Sequence, residues 1–346
     1  MYIFLRNFLF RLNPERAHRF ALALLHLVCA IPGFSGLMRR RFYRKGLQSQ
    51  KLFGCVFDNQ IGIAAGFDKN AQHIDVLTAV GFGFIEVGSV TARPSSGNAR
   101  PRLFRLKSDR AIINRMGLNN EGVDLVRGRL QKKRPKCPLF VNIAKTHDSE
   151  IMGDQAIADY CYSVEQMLDV ADVLVINVSC PNSGDGRTFE DPSALESLLS
   201  AIQETIGESS TPYLVKVSPD LSDTQLADVV RIATTFGASG FTATNTTTNR
   251  DNLTSSSTLL SSIGAGGLSG RPLHERALRT VRQLRLLTDL PIVAVGGISS
   301  LNDAQSFVDV GASLVQVYTG FIYEGPSLVS QIAGGLRITT VPTSSN

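Results

Sequence analysis

From about residue 60 onward, short apolar and β-branched runs alternate with longer stretches of helical periodicity. Parallel strands joined by crossover helices produce that alternation. Eight runs fit the pattern, at 60–66, 84–90, 139–145, 173–179, 213–218, 240–245, 291–296 and 314–320. Eight such units close a barrel, so the fold class is α/β, a (β/α)8 TIM barrel. Each run ends in polar or glycine residues: GFDKN, GSVT, NIAKT, NVSCPN, KVSPD, TNTT, VGGI and YTG. Barrel active sites lie at these carboxyl ends. Two longer stretches, 93–136 and the Ser/Thr-rich 249–262, are expected as insertions over the mouth, the second of them mobile.

The first 45 residues follow another pattern. Ile3, Phe4, Phe8 and Leu12 fall near helical spacing, interrupted by Arg6 and Arg11. Asn13-Pro14-Glu15 starts a second helix, because Asn accepts from free first-turn amides and Pro is tolerated at the first helical position. That helix is predicted over 14–30, ended by Pro32-Gly33 and followed by a basic run from Arg39 to Lys45. The longest apolar stretch, 20–31, is broken by His26 and falls short of the roughly 20 residues that a membrane span needs. The expected organisation is a two-helix extension over 1–45, lying on a bilayer and not crossing it, before a catalytic domain over 46–346. A helical hairpin packed on the barrel, its arginines in water, is the plainer alternative.

Charge sharpens this division. The formal net charge is +5, yet the first 50 residues hold nine Lys/Arg against the single acid Glu15, which leaves −3 for the rest. A basic segment that is also rich in Phe and Leu points to an anionic membrane surface and away from nucleic acid. The five cysteines are scattered without a C-x-x-C pair, so neither a disulfide framework nor a zinc site is expected. A reducing, cytoplasmic setting follows, peripheral to the membrane.

Candidate chemistry gathers at the strand ends. Gly296-Gly297 after the seventh run and Tyr318-Thr319-Gly320 after the eighth occupy the place where barrels present backbone N–H groups to a phosphate. Gly270 in GGLSG could add another amide, although glycines here could serve only the strand-to-helix turns. Lys69 and Lys216 would each need an anionic partner to stay charged at such depth. Asn114, Asn142, Asn177, Asn182 and Asn245 offer paired donors and acceptors that suit a small planar molecule such as a pyrimidine, though any one could cap a turn. Cys180, just past the fourth run, is a candidate general base if its thiol is activated, whereas free cysteines elsewhere are ordinarily small buried hydrophobes.

Taken in order, GIAAGFDKN, EVGSVTARP, PRLFRL, NRMGLNN, INVSCPNSGDGR, KVSPDL, TNTT, GGLSGRPL, VGGI and VQVYTGFIYEGP resemble the dihydroorotate dehydrogenases. The likeness runs to about residue 335, and the N-terminal hairpin with PERAH resembles the quinone-reducing branch. The resemblance implies FMN held by Ala65, Gly66, Lys69, Ser89, Asn142, Asn177, Lys216, Thr244, Gly270, Gly297, Tyr318 and Thr319. It implies dihydroorotate held by Lys69, Asn114, Arg115, Met116, Gly117, Leu118, Asn177, Asn182, Asn245 and Thr246, and a membrane quinone near His18, Arg105 and Tyr318. Three positions depart from that branch: Cys180 replaces its usual serine base, Leu118 a common phenylalanine, and Ser183 a frequent threonine. The implied reaction oxidises dihydroorotate to orotate in de novo pyrimidine synthesis, with Cys180 as base and no metal. A soluble acceptor such as fumarate, or a flavin-free phosphate-binding lyase or isomerase, are the alternatives.

Overall fold

The computed structural model describes residues 2–179, 189 and 191–338. Its centre is a closed barrel of eight parallel strands, Ile61–Ile63, Phe84–Val90, Leu139–Ile143, Val173–Asn177, Tyr213–Val217, Gly240–Ala243, Ile292–Val295 and Leu314–Val317, with the eighth pairing back onto the first. Each strand lies within one of the eight predicted runs. The strands adjoin in chain order, as crossover helices dictate.

Period-two alternation of strand side chains builds the barrel interior in layers. The lower layer is apolar: Phe84, Phe140, Val175, Leu214, Val293 and Leu314 pack with Phe57, which comes from the hairpin Gln50–Leu52 and Cys55–Phe57. Phe84 and Phe140 lie 5.0 Å apart, and Phe84 fills the space where a side chain at Gly62 would stand. Two residues further along the same strands the interior turns polar, with Glu86, Asn142, Asn177, Lys216 and Gln316 all buried. One step of the pleat converts a plug into a floor.

Two structures sit over the mouth. Leu103–Leu106, Ala111–Asn114 and Gly267–Gly270 form a three-stranded antiparallel sheet. The stretch expected to be mobile is partly regular, with a helix over Ser257–Ile263, and Asp109 anchors it by accepting from the Thr254 and Ser255 amides at 2.6 and 3.1 Å. Before the barrel come three helices and not two: α1 (Tyr2–Leu9), α2 (Pro14–Cys29) and α3 (Phe34–Phe42). Gly33, at φ +82°, supplies the left-handed turn that restarts the helix, and α2 and α3 meet at 112°. The arginine run read as following the helices therefore lies largely on α3. Among the described residues no single helix is long and apolar enough to cross a membrane.

Candidate active site

A cavity of about 560 Å³ runs from the barrel's polar floor out between α1 and α2. Its inner wall includes Ala65, Gly66, Lys69, Ser89, Asn177, Lys216, Thr244, Gly270, Gly297, Tyr318 and Thr319. Asn114, Met116, Gly117, Leu118, Asn245 and Thr246 line it under the small sheet, and Leu5, Leu9, His18, Leu22, Leu25 and Arg105 line its outer end. Cys180, Asn182 and Ser183 lie outside the described residues. Ser179, which precedes Cys180, donates its hydroxyl to the Lys216 carbonyl at 3.0 Å.

Three of the asparagines form a relay. Asn245 Nδ2 donates to Asn177 Oδ1 at 3.2 Å, Asn177 Nδ2 donates to Ser89 Oγ at 3.0 Å, and Ser89 Oγ donates to Asn142 Oδ1. Asn142 is fully buried behind Ser89, and its Nδ2 donates to Glu86 Oε1 at 2.8 Å. It stands behind Ser89, which lines the cavity. Asn114 stands apart on the small sheet, where its Nδ2 reaches the Gly267 carbonyl at 3.3 Å.

For Lys216 the protein itself supplies the anionic partner. Glu86, wholly buried, places Oε1 3.8 Å from Lys216 Nζ. Gln316 Nε2 donates to the other carboxylate oxygen at 2.5 Å. Neither Glu86 nor Gln316 was singled out from the sequence. A charged or amide residue inside an otherwise apolar barrel strand was the available signal, since such groups are buried only with partners.

Arg115, expected at the substrate, turns away. Its guanidinium donates to the Ile263 carbonyl and to the Pro101 carbonyl at 3.2 Å, and stacks over Phe104 at 4.7 Å. It holds the segment whose neighbours Met116 and Gly117 form the cavity wall. The glycines near the expected phosphate are required first by the chain: a side chain at Gly270 would meet the Arg110 carbonyl, and one at Gly297 the backbone of His274. Both also have positive φ, +98° and +69°. Thr319 opens the helix Thr319–Glu324, whose first-turn N–H groups have no carbonyl within the helix.

The outer end is held by a few long-range bonds. Tyr2 OH donates to the Ile322 carbonyl at 2.6 Å and Arg6 to the Tyr323 carbonyl at 3.0 Å, so α1 docks beside the helix that starts at Thr319. Glu15 pairs with Arg102 at 3.1 Å and with Arg100 at 3.1 Å. Arg105, read as a quinone residue, also closes the turn between α1 and α2, donating to the Leu12 carbonyl at 2.9 Å and stacking over Phe10 at 4.7 Å. Tyr318 OH donates to the Gly66 carbonyl at 3.3 Å, and burial pushes its phenol up to about 12. His18 Nε2 lies 3.0 Å from the Phe67 carbonyl. A carbonyl only accepts, so Nε2 carries the hydrogen and Nδ1 is left as an acceptor. Burial, followed by the nearby His73, lowers the His18 imidazole to about 4.

Fold and cavity together define an α/β-barrel enzyme with a chamber that has a polar end and an apolar end. Comparison with known proteins narrows this. Residues 47–339 match the family model described as dihydroorotate dehydrogenase. A dihydroorotate dehydrogenase (quinone) of Thermobifida fusca is 44% identical over 336 residues, covering 94% of this chain and 89% of the relative. That of Mycobacterium tuberculosis is 42% identical, covering 97% and 93%. The crystal structure of the Eimeria tenella enzyme in complex with ferulenol aligns with a TM-score of 0.79 at 33% identity, covering 92% of this chain and 89% of that one. The chain belongs to the dihydroorotate dehydrogenase family.

Proposed function

We propose that the protein oxidises (S)-dihydroorotate to orotate with FMN as its redox group and a membrane quinone as electron acceptor, a step of de novo pyrimidine synthesis. The observation that carries this reading is the continuity of one cavity from the polar floor to the gap between α1 and α2. A polar substrate and an apolar acceptor can then reach opposite ends of a shared chamber.

The inner residues fit a flavin. Lys216 supplies a cation at the wall, Gln316 Oε1 is a buried acceptor with no partner among the described residues, and Gly66 leaves open a space bordered by Lys69 and Tyr318. Ala65, Gly66, Lys69, Ser89, Asn177, Lys216, Thr244, Gly270, Gly297, Tyr318 and Thr319 would hold it, with Asn142 acting from behind Ser89. Bound FMN would supply two-electron chemistry between the two substrates. Lys69, Asn114, Met116, Gly117, Leu118, Asn177, Asn245 and Thr246, together with Asn182, would orient dihydroorotate, and Arg115 would position that segment. Cys180 Sγ would take the proton from C5. His18, Arg105 and Tyr318 would border the quinone.

Membrane association is supported by the distribution of exposed apolar side chains. Among the described residues, eight of the sixteen exposed large hydrophobic ones precede residue 43, among them Phe4, Phe8, Leu27, Ile31 and Leu37. Together with the arginines of α3 they suit a peripheral site on the anionic cytoplasmic face of the membrane.

Anaerobic mixing of the yellow protein with dihydroorotate, followed by a short-chain quinone, tests the reading. Bleaching of the flavin band and its return on adding quinone are expected. Bleaching that fumarate reverses and quinone does not would move the acceptor, and the absence of bleaching would remove dihydroorotate as substrate.

A further inference from the structure

We propose that Glu86 is a positioning residue that keeps Lys216 charged and directed at the cofactor, and thereby sets the reduction potential of the flavin. The inference rests on the reading that FMN occupies the inner end of the cavity. Glu86 sits within the second barrel strand and is completely buried. Three side chains from three other strands converge on its carboxylate: Asn142 at 2.8 Å, Gln316 at 2.5 Å and Lys216 at 3.8 Å. Among the described residues it is the only carboxylate within ion-pair range of Lys216.

The pair has a direction. Lys216 belongs to the cavity wall and Glu86 does not, so the positive end faces the chamber. Negative charge gained there on reduction lies nearer the ammonium than the carboxylate, and the pair favours it. A buried ammonium deprived of its counter-ion tends to shed its proton, because an unpaired charge in a low-dielectric interior is costly. Among the described residues nothing else near it compensates: Lys69 on the same wall is a like charge, while Asn142, Asn177, Thr242 and Gln316 are uncharged. Tyr318, pushed by burial to about 12, stays neutral at working pH.

Glu86→Gln is a clean probe of this arrangement. The new amide would place a donor opposite Gln316 Nε2, but Gln316 Oε1 has no partner among the described residues. Turning the Gln316 amide by half a rotation restores a donor–acceptor match but presents Nε2 where Oε1 stood, a change that does not depend on pH, so the difference between two pH values is what isolates Lys216.

The experiment is a redox titration of the FMN-loaded protein and its variants at pH 8 and pH 6. In Glu86→Gln the flavin midpoint potential should fall at pH 8, by less than in Lys216→Met, and should recover at pH 6 as Lys216 regains its proton. A midpoint unchanged or raised at pH 8, or one that falls equally at both pH values, would overturn the proposal. A parent protein that takes up no flavin would instead overturn the functional reading, and would be seen before any variant is compared. Thermal unfolding gives a second test that does not depend on electrochemistry. The double variant Glu86→Gln/Lys216→Met should melt closer to the parent than either single variant, since removing one partner strands a buried charge and removing both does not. Additive losses of Tm would show that the two groups are not coupled, and would sink the idea.

Discussion

The two ends of the chamber are built by different means. At the inner end the floor residues Glu86, Asn142, Asn177, Lys216 and Gln316 hang from barrel strands whose neighbours on both sides are also barrel strands, so strand alternation fixes which side chains face inward. At the outer end, α1 and α2 are fastened by single contacts to distant segments. Tyr2 reaches Ile322, Arg6 reaches Tyr323, Glu15 reaches Arg102, and Arg105 reaches back to Leu12. Much of the apolar surface there remains exposed, with Phe4 at 81% and Leu27 at 68%. A rigid end suits chemistry that depends on sub-ångström placement, while a loosely fastened end suits a ligand that arrives from a bilayer.

The largest effects should separate the ends. Cys180→Ala is expected to leave FMN bound while slowing flavin reduction by dihydroorotate by about 10²–10⁴-fold, the usual worth of a general base. Cys180→Ser should retain activity with its pH optimum moved upward. Stopped-flow bleaching at several pH values decides this, and an unchanged pH profile in the serine variant would remove cysteine from the role. Next in size is deletion of residues 1–33, which removes α1 and α2 and leaves α3 on the barrel. Quinone reduction should fall by at least about tenfold while flavin reduction by dihydroorotate stays within about twofold. If both half-reactions fall together, the two ends are not separable and the helices serve the barrel's integrity.

The same contrast explains what could be read from the sequence. All eight barrel strands were legible, because period-two alternation and polar strand endings are local signals. The inner wall followed from them: Lys216, Asn177 and Thr244 stand where strand endings place them. The protein partners of Asn142 and Arg115 were not legible, since Ser89, Glu86 and Ile263 lie more than fifty positions away in sequence. Glu86 was visible as a charge within FIEVGSV, but its partners lie on three other strands. The third helix was hidden because its run of arginines reads as a loop, and its apolar side is short, with Met38 buried and Phe34 and Phe42 half-buried. The clamps on α1 and α2 had no sequence signal, since each joins residues more than eighty positions apart.

The smallest effect concerns the joint between the two ends. His18 carries α2 to the Phe67 carbonyl at 3.0 Å, just before Lys69, and its imidazole is lowered from 6.5 to about 4, mainly by burial. In the unfolded chain the imidazole gains a proton near pH 6.5, whereas in the folded protein it stays neutral until about pH 4. The unfolded state therefore binds more protons between these values, so stability is full above pH 6.5 and declines as pH falls through this window. By pH 5 the loss from His18 should reach about 2 kcal/mol, less whatever its partial exposure to the cavity screens. His73, also lowered by burial, acts in the same direction, so the His18 share must be taken by difference. Urea unfolding at pH 7 and pH 5 should show a smaller loss in His18→Gln, which can still donate to the Phe67 carbonyl but does not titrate. An equal loss in both proteins would mean that His18 is solvated in the folded state, and that α2 is held to the barrel by Glu15 and Arg105 without it.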